Sequence, residues 1–418
     1  MTQWSPVWKV TIDGTEYTNA VLANLTIRSG RTNIYEQAQA GYVNLQLLDV
    51  NQTAIPVSIN STISVQVKDT SNTFVPIFGG NVVDIGLEVR DVGTTMFTQT
   101  YSITALGALA RLPKVIFTDA LARDYDGDQI YEVLSTVLYN TWAQVAGSVT
   151  WGGYTPAGTT WANAENNGLG EIDRPGNYDL AARGGGQDPI DVYSLVSALA
   201  TSGLGYLYED AQGRIGYADS THRTQYLSAN GYVDLDANHA RASGLRIDTR
   251  VGDVRNAITI KYGATSSSDV SASDANSIAI YGNLAQVITT TLHDSTDATA
   301  QANFYLSLRA QPEPIFSAIT FDLTNPEIDN SDRDNLLTIF MGEAISLNNL
   351  PLNMSSGTFQ GFVEGWSFQA SYNQLSVTLL LSPLAYSLQA MRWNDVPVTE
   401  TWASVSPTLD WQNATIVA

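Results

Sequence analysis

Two stretches of this chain, one at each end, alternate apolar and polar residues with a period of two, and no other feature constrains the fold as much. In the first 110 residues the pattern is carried by Lys9-Val-Thr-Ile-Asp-Gly, Val21-Leu-Ala-Asn-Leu-Thr-Ile-Arg, Tyr42-Val-Asn-Leu-Gln-Leu-Leu and Ile63-Ser-Val-Gln-Val-Lys. From about 246 it returns in Ala257-Ile-Thr-Ile-Lys-Tyr, Ser317-Ala-Ile-Thr-Phe-Asp-Leu, Ala344-Ile-Ser-Leu and Leu375-Ser-Val-Thr-Leu-Leu-Leu. A period of two puts every second side chain on one face, as in a half-buried strand. Asp13-Gly14, Gly79-Gly80 and Asp91-Val-Gly93 read as the intervening turns. Short strands at this spacing predict barrels or sandwiches.

The middle has a different period. Ile130, Val133, Leu134, Val137 and Leu138 fall on one face of a helix, with Asp128 placed to cap it. A polar stretch from Gly147 to Gly186, rich in Gly, Asn, Thr and Trp, has no period. Loops of that length contact partners or substrates more often than not. Asp188 as cap, Pro189 at the first helical position and the stripe Val192, Leu195, Val196 and Leu199 predict a second helix, stopped at Gly203. Tyr206-Leu-Tyr-Glu and Arg214-Ile-Gly-Tyr flank a turn and read as a hairpin. A further helix is expected from Asp297 to about Arg309, ended by Pro312 and Pro314, and residues 264–276 read as an exposed low-complexity loop.

The two β regions resemble one another. Ile63-Ser-Val is followed 15 residues on by Phe78-Gly-Gly-Asn-Val82, and then by Ser102-Ile-Thr-Ala-Leu. Ile345-Ser-Leu is followed 14 residues on by Phe359-Gln-Gly-Phe-Val363, and then by Ser376-Val-Thr-Leu-Leu, the last gap being shorter by seven. The order strand, Phe-x-Gly-x-Val, strand points to a duplicated module, against the alternative of chance likeness between β segments. The expected division is a first β module at 1–110, an α+β insertion at 111–245, a second β module at 246–385 and a C-terminal arm at 386–418. In that arm Trp393, Trp402 and Trp411 stand nine residues apart with Pro397 and Pro407 between them. Prolines favour an extended course, and the tryptophans are anchors for another surface or for the arm's own domain.

Composition removes several function classes. With 20 basic and 41 acidic residues among 418, the formal charge is −21, which excludes binding nucleic acid through a broad basic face. Without cysteine there are no disulfides, no thiolate catalysis and no cysteine-ligated metal. No apolar run reaches the roughly 18 residues that span a bilayer, and the start lacks a signal-peptide layout. His222, His239 and His293 stand in no paired-ligand spacing, and neither a nucleophile elbow nor a Walker motif occurs. Asp124-Tyr-Asp-Gly-Asp128 opens like a calcium loop, but Gln129 and Ser135 stand where the turn glycine and the bidentate glutamate belong. No catalytic, cofactor-binding or metal-binding residue is assigned.

The combination resembles the tail-hub, or baseplate-hub, proteins of long-tailed bacteriophages. The likeness rests on the N-terminal β module, the Val192–Leu199 helix running into the hairpin, and the second β module with Gly361-Phe-Val-Glu-Gly-Trp and 375–383. The arm from Arg392 is similar to the ends of minor tail proteins of siphophages of actinobacteria. The resemblance implies a non-enzymatic virion protein at the tail tip, assembled in the host cytoplasm. It implies a homotrimer whose six tube-like β modules continue the sixfold tail tube and form part of the channel for DNA ejection. Implied partners are the distal tail protein ring, the tape-measure protein and a fibre, spike or receptor-binding protein. DNA is met only in transit, and no stable membrane association is expected. Carboxylates facing the bore would repel DNA and keep its contacts transient. The rival expectation is a receptor- or carbohydrate-binding β protein, with Trp151, Tyr154 and Trp161 of the long loop stacking on sugar rings.

Overall fold

Strands of both β regions belong to one sheet. In the computed structural model, the residues described are 4–17, 20–34, 36–49, 54–90, 98–141, 172–185, 189–241, 247–312, 314–316, 318–354, 357–371 and 373–384. Twelve strands form a single sheet that includes four pairs of particular weight. Thr62–Lys68 pairs with Phe74–Arg90, and Phe74–Arg90 with Thr98–Leu106. In the same way Ala344–Asn348 pairs with Phe359–Ser371, and Phe359–Ser371 with Gln374–Pro383. The protein is mainly β, as the alternation predicts. The strands of the two regions join in one sheet, because Ala20–Gly30 pairs on one edge with Tyr42–Asp49 and on the other with Phe359–Ser371. Among the described residues no barrel closes.

The likeness between the two regions holds at the level of register. Ile63 lies opposite Gly80 and Val65 opposite Phe78, while Ile345 lies opposite Gly361 and Leu347 opposite Phe359. Each long strand then breaks register by one extra residue, Val83 between Val82 and Asp84, and Glu364 between Val363 and Gly365. These are β-bulges at the same place in both ladders. The third strand aligns two residues later than its sequence suggests. Ile103 faces Ile85 and Leu379 faces Trp366, so Ser102 corresponds to Thr378, not Ser376.

The bulge explains the Phe-x-Gly-x-Val motif. A Cβ on Gly80 would lie 2.4 Å from the Leu106 carbonyl oxygen, and one on Gly361 would lie 2.3 Å from that of Ser382. The Phe78 and Phe359 rings lie 2.9 Å from the same positions. Each phenylalanine therefore covers a glycine two residues on, as the strand period requires. Gly79 and Gly80, expected in a turn, sit inside a strand, Gly80 under Phe78 and Gly79 against the Gln212 backbone, 2.3 Å from where its Cβ would be.

Four other expectations are corrected. The first helix runs Asp126–Thr141, so Asp128 lies in its first turn and pairs with Arg174 at 2.6 Å instead of capping it. Ile130, Val133 and Leu134 are buried as predicted. Asp191, not Asp188, caps the helix Val192–Ser202, accepting from the Ser194 N–H; Ile190–Asp191 first pairs with Ile116–Phe117. Asp188 lies outside the described residues. Within 264–276, Ser268–Ser273 is a strand on the edge of Ala257–Tyr262, and Ala275 opens a short helix capped by Asp274. Val270 and Ala272 are half-buried against the core, while Ser268, Asp269, Ser271 and Ser273 are exposed. The next helix starts at Ser295, two residues before Asp297, with Asp294 as its cap.

The hairpin Tyr206–Glu209 with Ile215–Ala218 forms as read. A continuous apolar core runs from the first ladder (Val65, Ile103) through the helix Val192–Ser202 and the hairpin to the second ladder (Val377, Leu379). Glu209 fastens the hairpin to the first ladder by accepting from the Gly41 and Leu109 N–H groups. Gly107 is needed there, since a Cβ would lie 2.1 Å from the Glu209 carboxylate.

Candidate functional site

The seam between the ladders carries the densest buried electrostatics. Gly30 ends its strand with φ +86°, and a Cβ there would lie 2.3 Å from the Glu364 carbonyl oxygen, so only glycine lets the two strands meet at this point. The next residue, Arg31, donates its N–H to that carbonyl at 2.8 Å and its Nε to the Glu364 carboxylate at 2.6 Å. Arg223, from the helix His222–Asn230, donates to both oxygens of the same carboxylate at 2.7 and 2.9 Å, and the Ser382 hydroxyl donates as well. Burial alone would raise the Glu364 carboxyl, but Arg223 and Arg31 outweigh it and hold the group down at about 2. Both guanidiniums lie over the Tyr206 ring, 5.1 Å away for Arg31 and 4.7 Å for Arg223.

One carboxylate thus joins three parts of the chain: the first ladder through Arg31, the middle region through Arg223, and the second ladder through its own bulge. The arrangement is mechanical. It holds the sheet continuous across the seam. A cavity of about 140 Å³ beside it is lined by Arg31, Arg223, Arg309, Tyr206, Tyr305 and Asp219, among others.

At the corresponding place in the first ladder the edge is open. Asp84–Arg90 pairs with Thr98–Leu106 on one side, and among the described residues no strand pairs on the other. Register equates Val83, Leu87 and Val89 with Glu364, Phe368 and Ala370. The first three are 41%, 56% and 44% exposed, whereas their counterparts are 2%, 1% and 4% exposed.

Trp151, Tyr154, Trp161, Trp393, Trp402 and Trp411 all fall outside the described residues. The histidines are less isolated than their sequence contexts imply. His222 meets Asp173 at 2.7 Å and His239 meets Asp332 at 2.8 Å, while His293 stands 3.9 Å from Asp179. Two groups gather a histidine and two aspartates, Asp179/His293/Asp294 and His239/Asp329/Asp332. In both, protein donors already engage the carboxylates: Asp294 and Asp329 cap helices, Asp179 accepts from Arg123, and Asp332 accepts from the Asp236 N–H.

The calcium-like segment also disperses its carboxylates. Asp126 accepts from the Tyr217 hydroxyl and from the Asn177 and Tyr178 N–H groups, and Asp128 takes Arg174. Sequence reasoning missed Arg31, Arg223 and Glu364. The available signal was a lone acid in an otherwise apolar strand, Phe362-Val-Glu-Gly, directly after the repeated motif.

No protein-family model and no curated protein sequence matches the chain. Solved structures do. The tail protein from Neisseria meningitidis is similar over 92% of this chain and 98% of its own, with TM-score 0.58 at 11% identity. The 43 kDa tail protein of prophage MuSo2 from Shewanella oneidensis is similar over 91% of this chain and 99% of its own, with TM-score 0.55 at 11% identity. The fold is that of phage tail proteins. This tail-protein fold extends over nearly the whole chain.

Proposed function

We propose that this chain is a structural, non-enzymatic protein of a phage tail: a homotrimeric hub at the tail tip that joins a sixfold tube to threefold parts and forms part of the channel for DNA ejection. The observation that carries this reading is the doubled ladder, with its motif, register and bulge repeated within one tail-protein fold. A chain holding two copies of one unit presents six of them as a trimer, which is what an adaptor between sixfold and threefold symmetry requires. We divide the chain accordingly into a first module at 1–110, an insertion at 111–245, a second module at 246–385 and an arm at 386–418. The neighbours of such a hub are the distal tail ring, the end of the tape measure and a fibre, spike or receptor-binding protein. A siphophage of an actinobacterial host is the setting we favour, from the similarity of the Trp-rich arm alone.

Light scattering on the purified protein, with negative-stain imaging of the same fraction, tests the reading. A particle near three times 45.2 kDa, seen as a ring, is the expected result. A monomer at every concentration, both alone and mixed with a distal tail ring, overturns it.

A further inference from the structure

The cavity beside Glu364 is lined by three guanidiniums and a single carboxylate. Arg31 reaches it from the seam, Arg223 from the helix His222–Asn230 and Arg309 from the end of the helix Ser295–Arg309. All three are buried. The carboxylate is Asp219, and its Oδ1 is turned back to the Thr221 N–H and hydroxyl, each 2.7 Å away, and to the His222 N–H at 3.1 Å.

Glu364 is already committed on its own side. It accepts once from Arg31, twice from Arg223 and once from Ser382, which fills the roughly four acceptor sites of a carboxylate. Arg31 still has donors to spare. It gives Nε to Glu364 and Nη1 to the Glu36 carbonyl at 3.1 Å, and among the described residues its Nη2 has no hydrogen-bond partner. Arg31 is 8% exposed, so the acceptor for that group has to sit in the cavity.

We propose that the cavity binds one small inorganic oxyanion of the phosphate class, held by Arg31, Arg223 and Arg309. Water could accept the Arg31 protons, but only an anion also answers the charge of three buried cations. Ile34, Leu204, Ile288, Phe304 and Leu308 supply apolar walls, and a low dielectric strengthens that attraction. The planar guanidinium fork suits two oxygens at once, which favours an oxyanion over a spherical halide.

The forks are set in advance by aromatic rings. Arg31 and Arg223 lie over Tyr206, and Arg309 lies 5.3 Å from the Tyr305 ring centre. Burial raises the Tyr305 phenol, and Arg309 and Arg31 both pull against that rise, so the two cations share one neighbourhood. The cavity holds about 140 Å³. One water takes about 10–15 Å³ of such volume, so an ion the size of phosphate fits. Bound there, the anion ties the helix Ser295–Arg309 to the seam, as a structural ligand and not a substrate. This site is independent of the hub reading.

Calorimetric titration of inorganic phosphate into the full chain, at neutral pH and constant ionic strength, is the test. The expected result is one equivalent per chain with a Kd below about 1 mM, and a melting temperature that rises with phosphate. Arg309→Met removes one cavity cation without touching Glu364, and it is expected to weaken binding at least about tenfold. Gln286 accepts from Arg309 Nη1 at 2.5 Å, so Gln286→Glu places a built-in carboxylate at the site. That variant keeps all three arginines, and it is expected to exclude phosphate and to melt at a temperature that phosphate no longer changes. Absence of saturable binding by the parent overturns the site. Binding by Gln286→Glu equal to that of the parent also overturns it, since the anion would then lie elsewhere. Equal binding by a folded Arg309→Met has the same meaning, and if that variant fails to fold, Gln286→Glu decides alone.

Discussion

Val83 and Glu364 occupy the same bulge position in two ladders of matching register, yet Val83 is 41% exposed and Glu364 only 2%. The difference follows from what lies alongside. Ala20–Gly30 covers the second ladder's long strand and delivers Arg31 to its bulge, while the first ladder's strand has no such cover within the described residues. A bulge re-aims the extra side chain out of the regular alternation. In one copy that side chain is a buried anion, and in the other it is an exposed apolar residue.

Removing the anion leaves two buried guanidiniums without their shared partner. Breaking a buried ion pair from one side costs about 3–5 kcal/mol, far more than the pair itself contributes. Glu364→Gln is therefore expected to lower the unfolding free energy by about that amount. Chemical denaturation of the monomer measures it. A loss below about 1 kcal/mol would mean that the seam is held by strand pairing alone.

Gly80 and Gly361 should respond alike despite lying in different ladders, because each faces a backbone carbonyl that cannot retreat without breaking its own strand pairing. Alanine at either position is expected to cost about 1–3 kcal/mol, as for other overpacked sites. Thermal unfolding of the two single variants is the check. A cost at one glycine and none at the other would show that the motif does not do the same work in both copies.

The cap of the helix Val192–Ser202 separates the sequence reading from the structural one. Asp191 accepts from the Ser194 N–H at 2.8 Å, the arrangement in which an aspartate stabilises a helix start. Asp191→Ala is expected to cost about 1 kcal/mol by chemical denaturation. An unchanged free energy would return the cap to the position that sequence alone suggests, upstream of Pro189.

Strand existence was legible because alternation is a local signal: 42–49 and 62–68 bury every second residue. The Phe-x-Gly-x-Val repeat was legible too, since a phenylalanine covering a glycine two residues on lies within one strand. What joins the copies was not. The pairing of Ala20–Gly30 with Phe359–Ser371 links residues more than 300 positions apart, and nothing in either segment names the other. Glu364 is one of 41 acids and Arg31 one of 20 basic residues, and neither sits in a recognisable motif. The helix start at Asp191 was missed because Pro189 imitates a first helical residue while Ile190 and Asp191 are drawn into pairing with Ile116–Phe117.

Buried carboxylates give the protein an unusual pH dependence. Burial pushes Asp126 up to about 7, Glu209 to about 7 and Glu343 to about 8, against opposing hydrogen bonds from Tyr217 to Asp126, from the Leu109 and Gly41 backbone to Glu209, and from the Phe340 backbone to Glu343. Each group holds its proton more tightly folded than unfolded. The stability they contribute is fully present below their ordinary values near 4 and is lost as pH rises through 7 to 8. Glu364 acts in the opposite sense: held down at about 2, its contribution is present above its ordinary value of 4.5 and is lost as pH falls toward 2. The melting temperature is therefore expected to be highest near pH 4 to 5 and to fall steadily toward pH 8. Each raised group contributes a slope of up to about 1.4 kcal/mol per pH unit across its window. Glu209→Gln has no proton to lose but keeps an acceptor for only one of the Gly41 and Leu109 N–H groups, because its amide nitrogen donates where a carboxylate oxygen accepted. It should therefore be less stable at every pH, with a profile between pH 5 and 7 shallower than that of the parent. Melting curves of both proteins at pH 5, 6, 7 and 8 decide the matter, and parallel profiles would mean that Glu209 is already ionised in the folded chain at pH 5.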